Sequence, residues 1–228
     1  MTEPEHPRAI RSFVTRAGRI TEAQVRALEV LWPKYGVEFA PAALDFDALF
    51  GRGAPRTVEI GFGNGANLAT VAANHPERDY VGIEVHRPGV GRLLLALEEL
   101  GLSNVRVICE DAVEVLARQI PPQSLDEVLI LFPDPWPKKR HHKRRLVQSA
   151  FVELAANRLR SGGVLRMATD WQPYADEMLA TLGASAKLRN LAADGAFIPR
   201  PAERVPTRFE KRGERLGHEV WDLAFSRI

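Results

Sequence analysis

"TVEIGFGNGANLATVAANH", Thr57 to His75, reads as a strand, a glycine-rich turn and a helix in unbroken succession. The apolar run through Val58 and Ile60 has strand length, and Gly61, Gly63 and Gly65 let the backbone turn sharply and lie close against a ligand. The alternation recurs downstream. "YVGIEV", "VRVICED", "EVLILFPD" and "GGVLRMATD" are further strand-length runs, and the amphipathic stretches "GVGRLLLALEELG", "AVEVLARQI" and "RRLVQSAFVELAANRL" lie between them. Apolar strands alternating with helices imply a mostly parallel sheet covered on both faces, the doubly wound α/β architecture. The tail "HEVWDLAFSRI" sets Trp221, Leu223 and Phe225 against smaller or polar positions, which predicts a last strand, antiparallel at the edge. Upstream, Thr21 and Gln24 form a capping box that opens a helix over "EAQVRALEVLW", and Pro33 is expected to stop it. Residues 1–20 are polar, Pro-containing and Arg-rich and read as a mobile arm, leaving 21–228 as a single domain.

Composition narrows the function classes. A chain of 228 residues, 45% apolar, buries a sizeable single core, which argues against a disordered or fibrous protein. The formal net charge is only +2, yet Lys138 to Arg145 supplies six cations, so the remainder sums to about −4 and an acidic partner is expected at one place. The single cysteine, Cys109, excludes an internal disulfide and suits a reducing compartment. No apolar run approaches the roughly 20 residues of a spanning helix, and "MTEPEHPRAIRSF" has no signal-peptide core, so the expectation is a cytoplasmic protein away from the membrane. The six His show no ligand spacing, and no metal is expected.

In open α/β sheets ligands bind outside the carboxyl ends of the strands, and four such ends here carry an acid. Glu59 lies in the first strand beside the glycines; Glu84 closes "YVGIEV" where an acid holds ribose hydroxyls; Asp111 follows "VRVICED", placed either to reach an adenine amine or to cap the next helix. Asp134 is the fourth. An adenosine-containing cofactor fits this spacing. A pyrophosphate disfavours a carboxylate such as Glu59 at its helix N-terminus, whereas the amine and positive sulfur of S-adenosylmethionine favour one. The residues therefore point to S-adenosylmethionine over a nicotinamide dinucleotide.

The last acid sits in "LFPDPWPKKRHHKRR", Leu131 to Arg145. Pro133, Pro135 and Pro137 restrict the loop at the sheet's carboxyl edge, so Asp134 is presented rigidly at the foot of the basic run. This block resembles the motif of class I methyltransferases that stands beside the transferred methyl group. With "KKRHHKRR" behind it, and with "RSFVTRAGRIT", "VEIGFGNG", "TDW" and "PTRFEKRG" in the same order, the chain resembles the tRNA (guanine-N7)-methyltransferase family over most of its length. The resemblance implies a Rossmann-like fold with a mostly parallel seven-stranded sheet, and methylation of guanine N7 in the tRNA variable loop, at tRNA position 46. It implies that Glu59, Gly61, Gly63, Glu84, Asp111 and Asp134 line the S-adenosylmethionine pocket, with Asp134 the catalytic residue. Lys138, Asp170, Thr207, Arg208, Phe209 and Glu210 would contact substrate, and Arg140, His141, His142, Lys143, Arg144 and Arg145 the RNA. The sequence leaves monomer and homodimer both open. His141-His142 departs from the family's usual run and leaves the individual RNA contacts open.

Elementary chemistry qualifies the role of Asp134. Guanine N7 carries a free lone pair at neutral pH, so its methylation requires in-line approach and no proton removal. Asp134 is then expected to hold the guanine's donor edge or the cofactor's amine and to favour the charge arriving on the ring. The cations grip flanking phosphates, and six such contacts would give a slope of log K against log salt of roughly −4 to −5. Trp136 either stacks on a base or braces its loop. Asp170 either reaches the base or caps the helix over "QPYADEMLATLG". Three other readings remain: a methyltransferase acting on an exocyclic base amine, a non-catalytic tRNA-binding module of this fold, and a nicotinamide oxidoreductase, which leaves the basic loop unexplained.

Overall fold

The computed structural model describes residues 12–13, 19–202, 204–205, 210, 217 and 219–228. Helix α1, Glu22–Val30, opens on the capping box: Thr21 Oγ1 accepts from Gln24 N, and Gln24 Oε1 accepts from Thr21 N at 2.9 Å. It ends before Pro33, which instead occupies the first turn of the short α2, Trp32–Tyr35. The missing N–H of proline costs nothing there, so Pro33 starts a helix where a stop was expected. Asp45 caps α3, Phe46–Phe50, through Ala48 N.

From there strands and helices alternate: β1 Arg56–Ile60, α4 Ala66–Asn74, β2 Asp79–Ile83, α5 Arg87–Glu99, β3 Val105–Ile108, α6 Ala112–Arg118 and β4 Leu125–Leu131. A 3₁₀ helix, Lys139–Arg144, precedes α7 Ser149–Arg158, β5 Leu159–Thr169, α8 Gln172–Gly183, β6 Leu188–Asn190 and β7 Trp221–Arg227. They form one seven-stranded sheet in the order β3-β2-β1-β4-β5-β7-β6. Strands β3, β2, β1, β4 and β5 are parallel neighbours, and β7 is antiparallel to both β5 and β6. The tail strand is therefore antiparallel as expected, but it lies inside the sheet; β6 forms the edge.

The alternation of side chains along β1 sets the two layers. Val58 and Ile60 join Val81, Val128, Ile130 and Met167 in a core closed by Val115, Phe151 and Met178 of α6, α7 and α8. A second core packs Leu68, Leu93 and Leu97 of α4 and α5 with Ala27 and Tyr35. Leu93, Leu94 and Leu97 are fully buried, and each contributes about 1.5–3 kcal/mol. Because Val58 and Ile60 occupy one face, Thr57 and Glu59 must take the other. This puts an acid inside the protein next to the glycine turn.

Candidate active site

The loops after β1, β2, β3 and β4 leave the same edge of the sheet, since Ile60 is in register with both Ile83 and Ile130, and Ile83 with Ile108. Gly61, Gly63 and Gly65 all adopt left-handed φ, at 70°, 60° and 75°. A Cβ on Gly61 or Gly63 would meet no atom within 4 Å, whereas one on Gly65 would strike Leu93 at 2.7 Å. The first two glycines thus border open space, and the third lets α4 pack on α5. Glu84 holds the loop in place: its Oε2 accepts from Gly63 N at 2.9 Å, and its Oε1 from Val85 N at 2.8 Å and His86 N at 3.0 Å. Gly89, in the first turn of α5, lies so near that a Cβ there would come within 2.0 Å of Gly63 O.

Asp111 does cap α6, accepting from Val113 N at 2.9 Å. One cap bond uses one of a carboxylate's roughly four acceptor sites, so capping leaves room for an adenine amine. Glu59 sits differently from the other acids. It is only 3% exposed, and its carboxylate accepts from Asn67 Nδ2 at 3.0 Å, at the start of α4. Burial pushes Glu59 up to about 7; the Asn67 hydrogen bond opposes the rise and the charge of Glu127 adds to it. Asn67 Oδ1 is itself buried, with no hydrogen-bond partner among the described residues.

Past Leu131 the chain enters a strained turn. Phe132 and Trp136 hold φ of 52° and 42°, a region that non-glycine residues occupy only where their surroundings enforce it. Phe132 N donates to Ala168 O at 2.8 Å, which ties the turn to the end of β5. Asp134 is exposed at its apex. Trp136 braces this loop: its Nε1 donates to Ser12 O at 3.2 Å, His141 meets its ring edge-on at 5.7 Å between centroids, and the Arg144 guanidinium lies 5.1 Å from it. Ser12 belongs to the expected N-terminal arm, of which residues 1–11 and 14–18 lie outside the described residues.

The basic run divides by environment. Lys138, Lys139, Arg140 and Lys143 are exposed, and His141, His142 and Arg144 are partly so. Partial desolvation, then the charges of Arg140, Arg144, Lys138 and Lys143, hold His141 below the ordinary imidazole range. Arg145 breaks the series. It is 3% exposed, donates Nε to Pro135 O at 2.8 Å, pairs with Glu177 and lies 4.7 Å from the Tyr174 ring centre. Docking against α8 takes Arg145 inside, so five of the six cations in the run are exposed or partly so.

Asp170 follows β5 and is half-buried. The N-cap position of α8 falls on Trp171 and not on Asp170, which precedes it. Thr207, Arg208 and Phe209 lie outside the described residues. Glu210 is 1% exposed and takes a bidentate pair from Arg204, Nη1 to Oε2 at 2.7 Å and Nη2 to Oε1 at 2.9 Å. Arg204 also donates to Asp222 Oδ2 of β7 at 3.0 Å, and its guanidinium lies 5.7 Å from the Phe132 ring centre. Burial alone would lower Arg204; Glu210 and Asp222 outweigh it and raise it. Sequence reasoning missed Asn67, Arg204, Asp222 and Glu177. Only position offered a signal, and that weakly, for Asn67 in the first turn of the helix after the glycines. Among the described residues no metal-ligating side chains converge in a group of three or more, and no helix is long and apolar enough to cross a membrane.

Comparison with known proteins agrees with this geometry. A family model described as "Putative methyltransferase" matches residues 53–223. A tRNA (guanine-N(7)-)-methyltransferase of Stutzerimonas stutzeri (strain A1501) is 59% identical over 97% of this chain and 93% of its own. One of the same name from Leifsonia xyli subsp. xyli is 60% identical over 94% of each chain. Among solved structures, an antibiotic-related methyltransferase matches with a TM-score of 0.55 at 16% identity, covering 84% of this chain and 96% of its own. The 16S rRNA methyltransferase KamB matches with a TM-score of 0.53 at 18% identity, over 80% and 92%. Those two likenesses establish the class I methyltransferase fold, with its Rossmann-like sheet.

Proposed function

The chain belongs to the tRNA (guanine-N(7)-)-methyltransferase family, and on that premise we propose that it methylates guanine N7 in the tRNA variable loop, at tRNA position 46, using S-adenosylmethionine. The observation that carries this reading is the strained Phe132–Trp136 turn. It leaves β4 beside the glycine loop of β1, offers Asp134 at its apex and runs directly into the basic 3₁₀ helix. A carboxylate for the reacting centre and cations for the backbone around it thus share one loop.

S-adenosylmethionine supplies an electrophilic methyl group on a positively charged sulfur. The residues present suit it: Cβ positions on Gly61 and Gly63 would meet no atom of the described residues within 4 Å, and the acids at the neighbouring strand ends would supply acceptors for its amine, ribose and adenine. Glu84, with three of about four acceptor sites used on backbone N–H groups, keeps one for a ribose hydroxyl. Asp111 would accept from the adenine amine, and Glu59, held through Asn67, would favour the cationic half. Asp134 holds the guanine's donor edge or the cofactor's amine; with N7 unprotonated, it has no proton to remove. Lys138, Asp170 and the segment Thr207 to Glu210 position the base, while Arg140, His141, His142, Lys143 and Arg144 grip phosphates, an interaction that orients the RNA without reading its sequence. The protein works in the cytoplasm.

The test is transfer of radiolabelled methyl from S-adenosylmethionine to an unmodified tRNA transcript, followed by digestion to nucleosides. Label in 7-methylguanosine supports the reading. Label on an exocyclic amine would replace it with the amine methyltransferase, and tight tRNA binding with no transfer would leave a binding module.

A further inference from the structure

Five of the six cations between Lys138 and Arg145 face solvent wholly or in part; Arg145 does not. Building on the reaction proposed above, we infer that Arg145 is a positioning residue for the Asp134 loop and not a phosphate contact. Its guanidinium is used on three sides. Nε donates to the carbonyl of Pro135, the residue after Asp134; Nη1 pairs with Glu177; and Cζ lies 4.7 Å over the Tyr174 ring. With the residue only 3% exposed, little of the guanidinium is open to a phosphate.

The partners are themselves held. Tyr174 is fully buried in α8, and its hydroxyl accepts from Val147 N at 3.1 Å. Glu177 lies three residues further on, on the same face of that helix. Arg145 N donates to His142 O at 2.9 Å, and Gln148 Nε2 donates to Arg145 O at the same distance. Arg145 therefore links α8, a rigid element, to the carbonyl between Asp134 and the left-handed Trp136. Neither proline flanking Asp134 has an N–H to fix the turn, so this carbonyl is one of its few hydrogen-bonding handles. Misplacing a reacting group by about 1 Å costs on the order of a hundredfold in rate.

Two readouts separate positioning from phosphate binding. The first is the salt dependence of tRNA affinity, which counts cations that meet phosphates. Lys143→Ala is expected to make the slope of log K against log salt shallower by about 0.7–0.9, and Arg145→Gln to leave it at the wild-type value. The second is the rate of methyl transfer at saturating tRNA. Arg145→Lys keeps the charge but loses the planar fork and the stacking face. It and Glu177→Gln, which removes no cation, are each expected to lower that rate about tenfold or more with tRNA affinity unchanged. These two variants carry the test if Arg145→Gln does not fold, folding being followed by thermal melting. A shallower slope for Arg145→Gln, or a wild-type rate for Arg145→Lys, overturns the inference. Transfer of methyl to guanine N7 by the wild-type protein in the same assay shows independently whether the underlying reading stands.

Discussion

Replacing Glu59 by Gln probes the buried acid beneath the glycine loop. The substitution preserves shape and keeps an oxygen to accept from Asn67 Nδ2, so what it removes is the ability to ionise. Burial raises the carboxyl from its ordinary 4.5 to about 7. Between those two values the folded protein keeps a proton that the unfolded chain has released, so stability falls as pH rises through the window and levels off above pH 7. At about 1.4 kcal/mol per pH unit, the wild-type penalty at pH 8 is on the order of 3 kcal/mol. Urea unfolding of both proteins without cofactor, at fixed salt, measures it. The Glu59→Gln protein is expected to gain about 2–3 kcal/mol on the wild type between pH 5 and pH 8, most of it by pH 7. A difference that stays constant across this range would mean that Glu59 is already ionised at pH 5, and would refute the argument from burial.

Three further expectations concern other parts of the site. Gly89→Ala sets a Cβ against the backbone carbonyl of Gly63; such overpacking costs about 1–3 kcal/mol, and displacement of the loop should weaken S-adenosylmethionine binding about tenfold in a calorimetric titration. Five exposed or partly exposed cations, in place of six, put the slope of log K against log salt for tRNA at roughly −3.5 to −4.5, measured by filter binding between 50 and 200 mM salt. Arg204→Met removes the buried guanidinium that pairs with both Glu210 and Asp222, leaving Arg200 3.3 Å from Glu210, and should cost about 3–5 kcal/mol in urea unfolding, well above what an exposed Arg substitution costs.

The sheet and its ligand edge were legible because they rest on local patterns. Strand-length apolar runs, the glycines after β1 and the acids at the strand ends carry their meaning in a few adjacent residues, and the capping box at Thr21 needs only four. Strand β6 gave no such signal. Its three residues are too few to show a period, so the tail strand, read as the edge, turned out to lie one place inside it. Pro33 was misjudged because proline disrupts a helix interior yet suits a first turn, and the choice depended on a short second helix that the sequence did not announce.

At the site, residue types were readable and environments were not. Glu59 was recognisable as an acid beside a glycine turn, but its burial follows from the face of β1 that α4 covers. Arg145 looked like its five neighbours; what sets it apart is Tyr174 and Glu177, some thirty residues away on α8. Arg204 lies in a charged stretch without periodicity, and its meaning comes from Asp222 on the last strand and Phe132 in the Asp134 loop. Long-range pairings of this kind leave no trace in local spacing.

If the loop from Phe132 to Arg145 holds one guanine at Asp134 for methyl transfer to its N7, methylation falls on a single base and depends on that carboxylate. The direct measurement is chemical mapping of tRNA transcript after reaction, with borohydride followed by aniline, which cleaves the strand where N7 methylation has made the ring cationic. Wild-type protein is expected to give cleavage at a single variable-loop guanine, and the Asp134→Ala variant to give none while still binding tRNA with the wild-type salt dependence. Cleavage at many guanines, or undiminished cleavage with Asp134→Ala, would contradict it.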